Sequence, residues 1–153
     1  MAVFTPDRLT VSAEMFLEHP AEAIWPLLCP VREYDWIAHW RCEVLRSESG
    51  VNELGCVFRT NLPGAGPEVW LTSRFDPCER LEFVRTGRDR VIHFVIRLLP
   101  ENGGTRLTWT HHVTTLTEAG NAELADKPAA FASQMAQLER MLGHYLETGG
   151  MLT

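Results

Sequence analysis

The sequence has 153 residues, of which 45% are hydrophobic and 22% charged, as in an ordinary globular domain; we expect one domain over residues 1–153. Its formal net charge is −6 and no basic cluster is present, which argues against nucleic acid and against charge-driven binding to a membrane. The N-terminus lacks the apolar run of a signal peptide, and no apolar stretch approaches the length of a membrane span. We therefore expect a cytoplasmic protein without stable membrane insertion.

The N-terminal part of the chain predicts one strand followed by two short helices. Apolar and polar residues alternate over Thr10–Glu18, which is typical of a half-buried antiparallel strand. Pro20 suits the first turn of a helix, and Pro26 and Pro30 keep that helix short. A second brief helix is predicted over Val31–His39.

Residues 41–116 predict six further strands joined by short turns. Glycine, proline and asparagine cluster in the connections, as expected for a meander of antiparallel hairpins. The predicted strands are Arg41–Ser49, Cys56–Leu62, Glu68–Phe75, Arg80–Thr86, Arg90–Leu99 and Thr105–Leu116. The first strand would be the seventh of the sheet.

The C-terminal part predicts a short helix over Glu118–Ala125 and a main helix over Pro128–Glu147. Pro128 separates them, because proline removes a donor and clashes with the preceding turn. The main helix carries one apolar stripe, formed by Phe131, Met135, Leu138, Leu142 and Tyr145. We predict an α+β fold in which a curved seven-stranded antiparallel sheet wraps around one long C-terminal helix and leaves a cavity between them.

Alternation along the strands assigns one face of the sheet to this cavity. We expect its apolar lining to be Phe58, Phe83, Phe94 and Trp109 from the sheet, with Met135, Leu138, Leu142 and Tyr145 from the helix. The same face carries four polar residues, Thr60, Ser73, Arg85 and His111. Buried polar groups need partners, so either the cavity holds water and a ligand or these groups satisfy each other.

Four local segments and the order of the elements resemble the START-like superfamily, also called SRPBCC, which includes birch-pollen-allergen-like proteins and polyketide cyclases. The segments are Pro20–Trp25 (PAEAIW), Tyr34–Ile37 (YDWI), Asp76-Pro77 and Gly103–Trp109 (GGTRLTW). The resemblance implies a helix-grip fold with two small helices after the first strand. It also implies a cavity for lipids, sterols, polyketides or other apolar molecules, in enzymes and in simple binders. No catalytic signature of the cyclases matches here, so no active site is transferred.

Three hypotheses about function follow. The first is a small protein that binds an apolar or amphipathic molecule between sheet and helix. The second is a cyclase- or dehydratase-like enzyme in which His111 is the general base and Arg85 stabilises an enolate or carboxylate. The third is an interaction module of chaperone-activator type that uses Trp70, which alternation assigns to the solvated face.

The two polar candidates also have plain structural interpretations, which the sequence leaves open. His111 could be a core histidine bonded to a backbone carbonyl or to a helix residue. Arg85 could lie at a strand end and reach solvent or pair with a loop carboxylate.

Neither a metal nor another cofactor is predicted. The four cysteines show no CxxC spacing and are expected to be free thiols. His39 and Cys42 come nearest to zinc-ligand spacing, but strand pairing would place Cys42 far from Cys56. A homodimer is compatible with the sequence.

Overall fold

The computed structural model describes residues 3–153, and its elements follow the predicted order. The strands are β1 Arg8–Leu17, β2 Glu43–Arg46, β3 Val57–Leu62, β4 Gly66–Asp76, β5 Arg80–Thr86, β6 Arg90–Glu101 and β7 Gly104–Thr115. The α-helices are α1 Ala21–Ile24, α2 Glu118–Glu123 and α3 Lys127–Thr148. Short 3-10 turns cover Trp25–Leu27, Arg32–Asp35 and Leu124–Asp126.

All seven strands form one antiparallel sheet in the order β1-β7-β6-β5-β4-β3-β2. Strands β2 to β7 each pair with their neighbour in sequence; residues 47–56 connect β2 to β3, and the other connections are turns of two or three residues. Strand β1 pairs with β7 along its whole length, from Arg8 opposite Thr114 to Leu17 opposite Thr105. With α3 packed against the sheet, this arrangement confirms the predicted α+β helix-grip fold.

Two elements near the N-terminus are shorter than predicted. The second helix is only the 3-10 turn Arg32–Asp35, which follows Pro30 closely. Strand β2 ends at Arg46 because the next backbone groups bind a side chain instead of a neighbouring strand. The Glu53 carboxylate accepts hydrogen bonds from the N–H groups of Glu48 and Ser49 at 3.0 and 2.7 Å.

The C-terminal helical region divides where the sequence predicts. A 3-10 turn separates α2 from α3, and Pro128 lies in the first turn of α3, where its missing N–H costs nothing. Gly149 ends the helix with a φ of 74°, a left-handed conformation that glycine adopts without strain. The stripe of α3 faces the core, with Phe131, Met135 and Leu142 almost fully buried.

Strand β4 presents the face opposite to the predicted one over most of its length. Glu68, Trp70 and Thr72 are buried, whereas Val69, Leu71 and Ser73 are exposed. An irregularity in the pairing with β5 lies between Thr72 and Arg74. A bulge inserts one residue and reverses the alternation beyond it. Alternation counted back from Phe75 without the bulge therefore assigns the residues before it to the wrong face of the sheet.

The reversed alternation of β4 changes the predicted positions of Ser73 and Trp70. The exposed Ser73 does not lie on the inner face and cannot line the cavity. Trp70 is 95% buried, so it marks no exposed contact surface. Its indole stacks on Phe58 with a centroid distance of 5.1 Å and meets Phe83 edge-on at 5.5 Å.

Candidate functional site

A cavity of about 240 Å³ lies between the inner face of the sheet, the 3-10 turn Arg32–Asp35 and helix α3. Seven of its 20 lining residues are aromatic: Trp36, Trp40, Trp70, Trp109, Phe58, Phe83 and Phe94. For scale, an apolar cavity of about 150 Å³ holds benzene. This cavity therefore has room for a molecule with one or two fused rings.

The structure places eight of the twelve predicted site residues on this wall: Phe58, Phe83, Arg85, Phe94, Trp109, His111, Met135 and Leu138. The other four lie elsewhere. Thr60 is buried and accepts a hydrogen bond from Trp70 Nε1 at 2.9 Å. Leu142 and Tyr145 lie further along the same stripe of α3 and pack in the core beyond the cavity. Ser73 lies on the outer face of β4, as described above.

Arg85 forms an ion pair with Glu68 at the cavity wall. Its Nη2 atom donates to Glu68 Oε1 at 2.5 Å, and both side chains are nearly inaccessible, at 7% and 0% exposure. The guanidinium carbon also lies 4.1 Å above the centre of the Trp70 ring, in a cation–π arrangement. Burial lowers the pKa of Arg85, while the charge of Glu68 acts in the opposite direction. Alternation counted without the bulge assigns Glu68 to the outer face of the sheet, so the sequence analysis did not identify this carboxylate.

Four buried polar atoms at this site have no hydrogen-bond partner within residues 3–153. They are Glu68 Oε2, Arg85 Nε, Trp109 Nε1 and His111 Nε2. Such groups are uncommon in native structures and call for a specific partner. Trp109 and His111 both line the aromatic cavity.

His111 is held by a lysine of α3. Lys127 Nζ lies 2.8 Å from His111 Nδ1, and an ammonium group can only donate. The proton of the neutral ring is therefore on Nε2. Burial lowers the pKa of His111, and the Lys127 charge lowers it further, so the ring stays neutral.

This tautomer changes the role that His111 can perform. Its available lone pair lies on Nδ1 and is engaged by Lys127, so the free ring nitrogen offers a proton donor and no base. The contact matches the plain structural interpretation, a core histidine bonded to a helix residue. The geometry therefore opposes the predicted role as general base.

Glu33 is a cavity residue that the sequence analysis missed. It lies on the 3-10 turn Arg32–Asp35 and lines the aromatic cavity together with Arg85. Its carboxyl group has no hydrogen-bond or ion-pair partner in the described part of the chain, and burial raises its pKa to about 8, with the charge of Arg85 opposing. Glu33 precedes Trp36 and Ile37 by three and four residues, and that helical spacing was the one signal that could have revealed it.

A second cavity of about 380 Å³ adjoins the first, and Arg85 and Gln134 line both. Its walls come from the turn between β3 and β4 and from the first turns of α3. Arg90 and Lys127 add two further cations. Burial lowers the pKa of Lys127 to about 8, and the charges of Arg90 and Arg85 act in the same direction.

The described residues contain neither a metal-binding cluster nor a membrane-spanning helix. Across residues 3–153, no group of three or more His, Cys, Asp or Glu side chains is arranged to hold a metal ion. Within the same range, every helix is too short or too polar to cross a membrane.

The sheet gripping α3 defines the helix-grip fold of the START-like superfamily, and solved structures share it. DynU16, from the dynemicin biosynthetic locus, is 19% identical with a TM-score of 0.67; the match covers 92% of this chain and 48% of DynU16, so this chain spans about half of that protein. Ara h 8.0201 is 17% identical with a TM-score of 0.65, covering 93% of this chain and 99% of that one. The Aha1 dimer from Colwellia psychrerythraea is 16% identical with a TM-score of 0.66, covering 92% and 98%.

Sequence comparisons add nothing to these structural ones. No protein-family model matches the chain, and no curated protein sequence matches it. The similarity to DynU16, Ara h 8.0201 and Aha1 thus shows the fold and confirms the START-like resemblance at that level.

Proposed function

We propose that this protein binds a small, flat, mainly apolar molecule in the aromatic cavity. The observation that carries the proposal is the pair of buried N–H donors, Trp109 Nε1 and His111 Nε2, for which residues 3–153 supply no partner, in a wall with seven Trp and Phe rings. A ligand with one or two rings and a carbonyl, phenol or ether oxygen would fill the cavity and accept these hydrogen bonds. The four cysteines are free thiols, which supports a reducing compartment such as the cytoplasm.

A cyclase- or dehydratase-like activity is the second candidate, and the observation that favours it is Glu33. A carboxyl group whose pKa is raised to about 8 holds a proton at neutral pH and can exchange it there, as general acid–base chemistry requires. DynU16 comes from a biosynthetic locus, which is compatible with this candidate. The chaperone-activator hypothesis depended on an exposed Trp70, and this side chain is buried.

Binding can be tested with 2-naphthamide, a neutral bicyclic compound with one carbonyl acceptor, by isothermal titration calorimetry. We expect binding to the wild type and none to Leu138→Trp, whose indole would occupy the cavity. Trp109→Phe should weaken binding about fivefold, because it removes one hydrogen bond worth ~1 kcal/mol and keeps a ring. Trp25→Phe is the matched control, since Trp25 packs against Phe75 outside this cavity.

Equal weakening of 2-naphthamide binding by Trp109→Phe and Trp25→Phe would place the compound outside the aromatic cavity and remove the proposal. Native mass spectrometry of the protein from its own host would identify a co-purified ligand directly. The enzymatic candidate requires turnover of that ligand, lost in Glu33→Gln and kept in the exposed control Glu22→Gln. The homodimer stays a prediction; the similar Aha1 structure is a dimer.

A further inference from the structure

Positive charge exceeds negative charge where the two cavities meet. Arg85, Arg90 and Lys127 line the second cavity, and Arg85 lines both. Glu68 is the one carboxylate that pairs with these cations among residues 3–153, with Oε1 on Arg85 and Oε2 4.0 Å from Arg90 Nε. Three cations against one carboxylate leave an excess of two positive charges.

Lys127 and Arg85 both lack the partners that their donors need. The one hydrogen-bond partner of Lys127 within the described chain is the neutral His111 ring, and Arg85 Nε is buried with none. Cations held together in this way repel each other. The lowered pKa of Lys127 reflects that repulsion as well as burial.

The acidic groups nearest to this junction do not offset the excess. Glu123 and Asp126 line the second cavity but are exposed, and neither forms an ion pair within 4.0 Å in the described chain. Glu33 lines only the first cavity, and its carboxylate forms no ion pair within 4.0 Å among residues 3–153. An anion from outside the chain is therefore the missing partner.

We propose that this junction binds the carboxylate of an amphipathic ligand whose aromatic body lies in the first cavity. The inference rests on the proposed function and narrows its ligand class to small aromatic carboxylic acids. Arginine pairs carboxylates through its planar N–H groups, and lysine adds a point charge. Arg85 lines both cavities, so one molecule can place its ring among the aromatic side chains and its carboxylate among the cations.

The test compares 2-naphthoate with 2-naphthamide, which have the same ring and differ in head-group charge. We expect calorimetry at low salt to give about tenfold tighter binding of 2-naphthoate, the effect of one charge-assisted contact. Arg90→Met should weaken 2-naphthoate about tenfold and change 2-naphthamide little. Lys127→Met also frees His111, so it should weaken both probes, and 2-naphthoate by the larger factor. Arg97→Met is the matched control, because Arg97 lies exposed on the same strand, β6. Arg85 itself is left intact, since its loss would strand the buried Glu68.

The outcomes separate this proposal from the proposed function. If 2-naphthamide binds and 2-naphthoate binds no better, the carboxylate site is overturned and the aromatic cavity stands. A preference for 2-naphthoate that survives both Arg90→Met and Lys127→Met, or that falls equally in Arg97→Met, also overturns it. Binding of neither probe to the folded wild type removes the proposed function itself. Thermal unfolding followed by circular dichroism establishes that each variant is folded. If one variant is not folded, the relative affinity of the wild type for 2-naphthoate and 2-naphthamide still tests the carboxylate site.

Discussion

Replacing Glu33 by glutamine should remove a pH-dependent loss of stability. Burial raises the pKa of this carboxyl group from 4.5 to about 8, so between these two values the folded protein holds a proton that the unfolded chain has released. Stability then falls as pH rises through that window, and the whole cost is present above about pH 8. Glutamine has nearly the same shape and does not titrate.

The size of the effect follows from the shift in pKa. At about 1.4 kcal/mol per pKa unit, the full shift corresponds to ~5 kcal/mol. Glu33 keeps partial access to solvent, and screening reduces such values, so we expect about 2–3 kcal/mol. The wild type and Glu33→Gln should be almost equally stable near pH 5, and the variant more stable by that amount near pH 9.

Urea unfolding followed by tryptophan fluorescence measures this difference at each pH. Every other titratable group is common to the two proteins, so subtracting the two curves isolates Glu33. Glu22→Gln, an exposed substitution on α1, should follow the wild type at every pH. A constant difference between the wild type and Glu33→Gln from pH 5 to 9 would refute the reasoning and place the carboxyl group in water.

Two further predictions concern stability. Glu68→Gln leaves the buried charge of Arg85 unpaired and should cost about 3–5 kcal/mol in urea unfolding; a loss below ~1 kcal/mol would mean that solvent reaches the guanidinium. Gly120→Ala should destabilise by about 1–3 kcal/mol, because its Cβ would collide with the Asp89 carbonyl oxygen. Gly143→Ala on α3 meets only a side-chain carbon at 3.8 Å and should instead stabilise by about 0.5–1 kcal/mol. Equal effects of the two alanines would contradict the packing at Gly120.

Local patterns identified most of the regular structure of this protein. Strand β5 has the predicted bounds, Arg80–Thr86, because its alternation is unbroken between two clear turns. The spacing of apolar residues from Phe131 along α3 predicted which side of the helix is buried. Both features depend on side-chain periodicity within one element, which the order of residues contains in full.

The chemistry of the cavity depends on contacts that no local pattern contains. Lys127 on α3 and His111 on β7 are 16 residues apart in sequence and meet only in the folded protein. That contact decides which ring nitrogen of His111 carries the proton. Glu33 reaches the cavity because a 3-10 turn closes one end of the sheet.

The sequence by itself determined the order of the elements, the antiparallel sheet on one helix and the existence of an apolar interior. Tertiary structure decided which polar groups face that interior. One bulge between Thr72 and Arg74 puts the two halves of β4 out of phase, so Glu68 and Trp70 before it face inward and Ser73 faces outward, since an inserted residue reverses the alternation across the bulge. A bulge is fixed by hydrogen bonds to the neighbouring strand, and so its position was settled only when the sheet assembled.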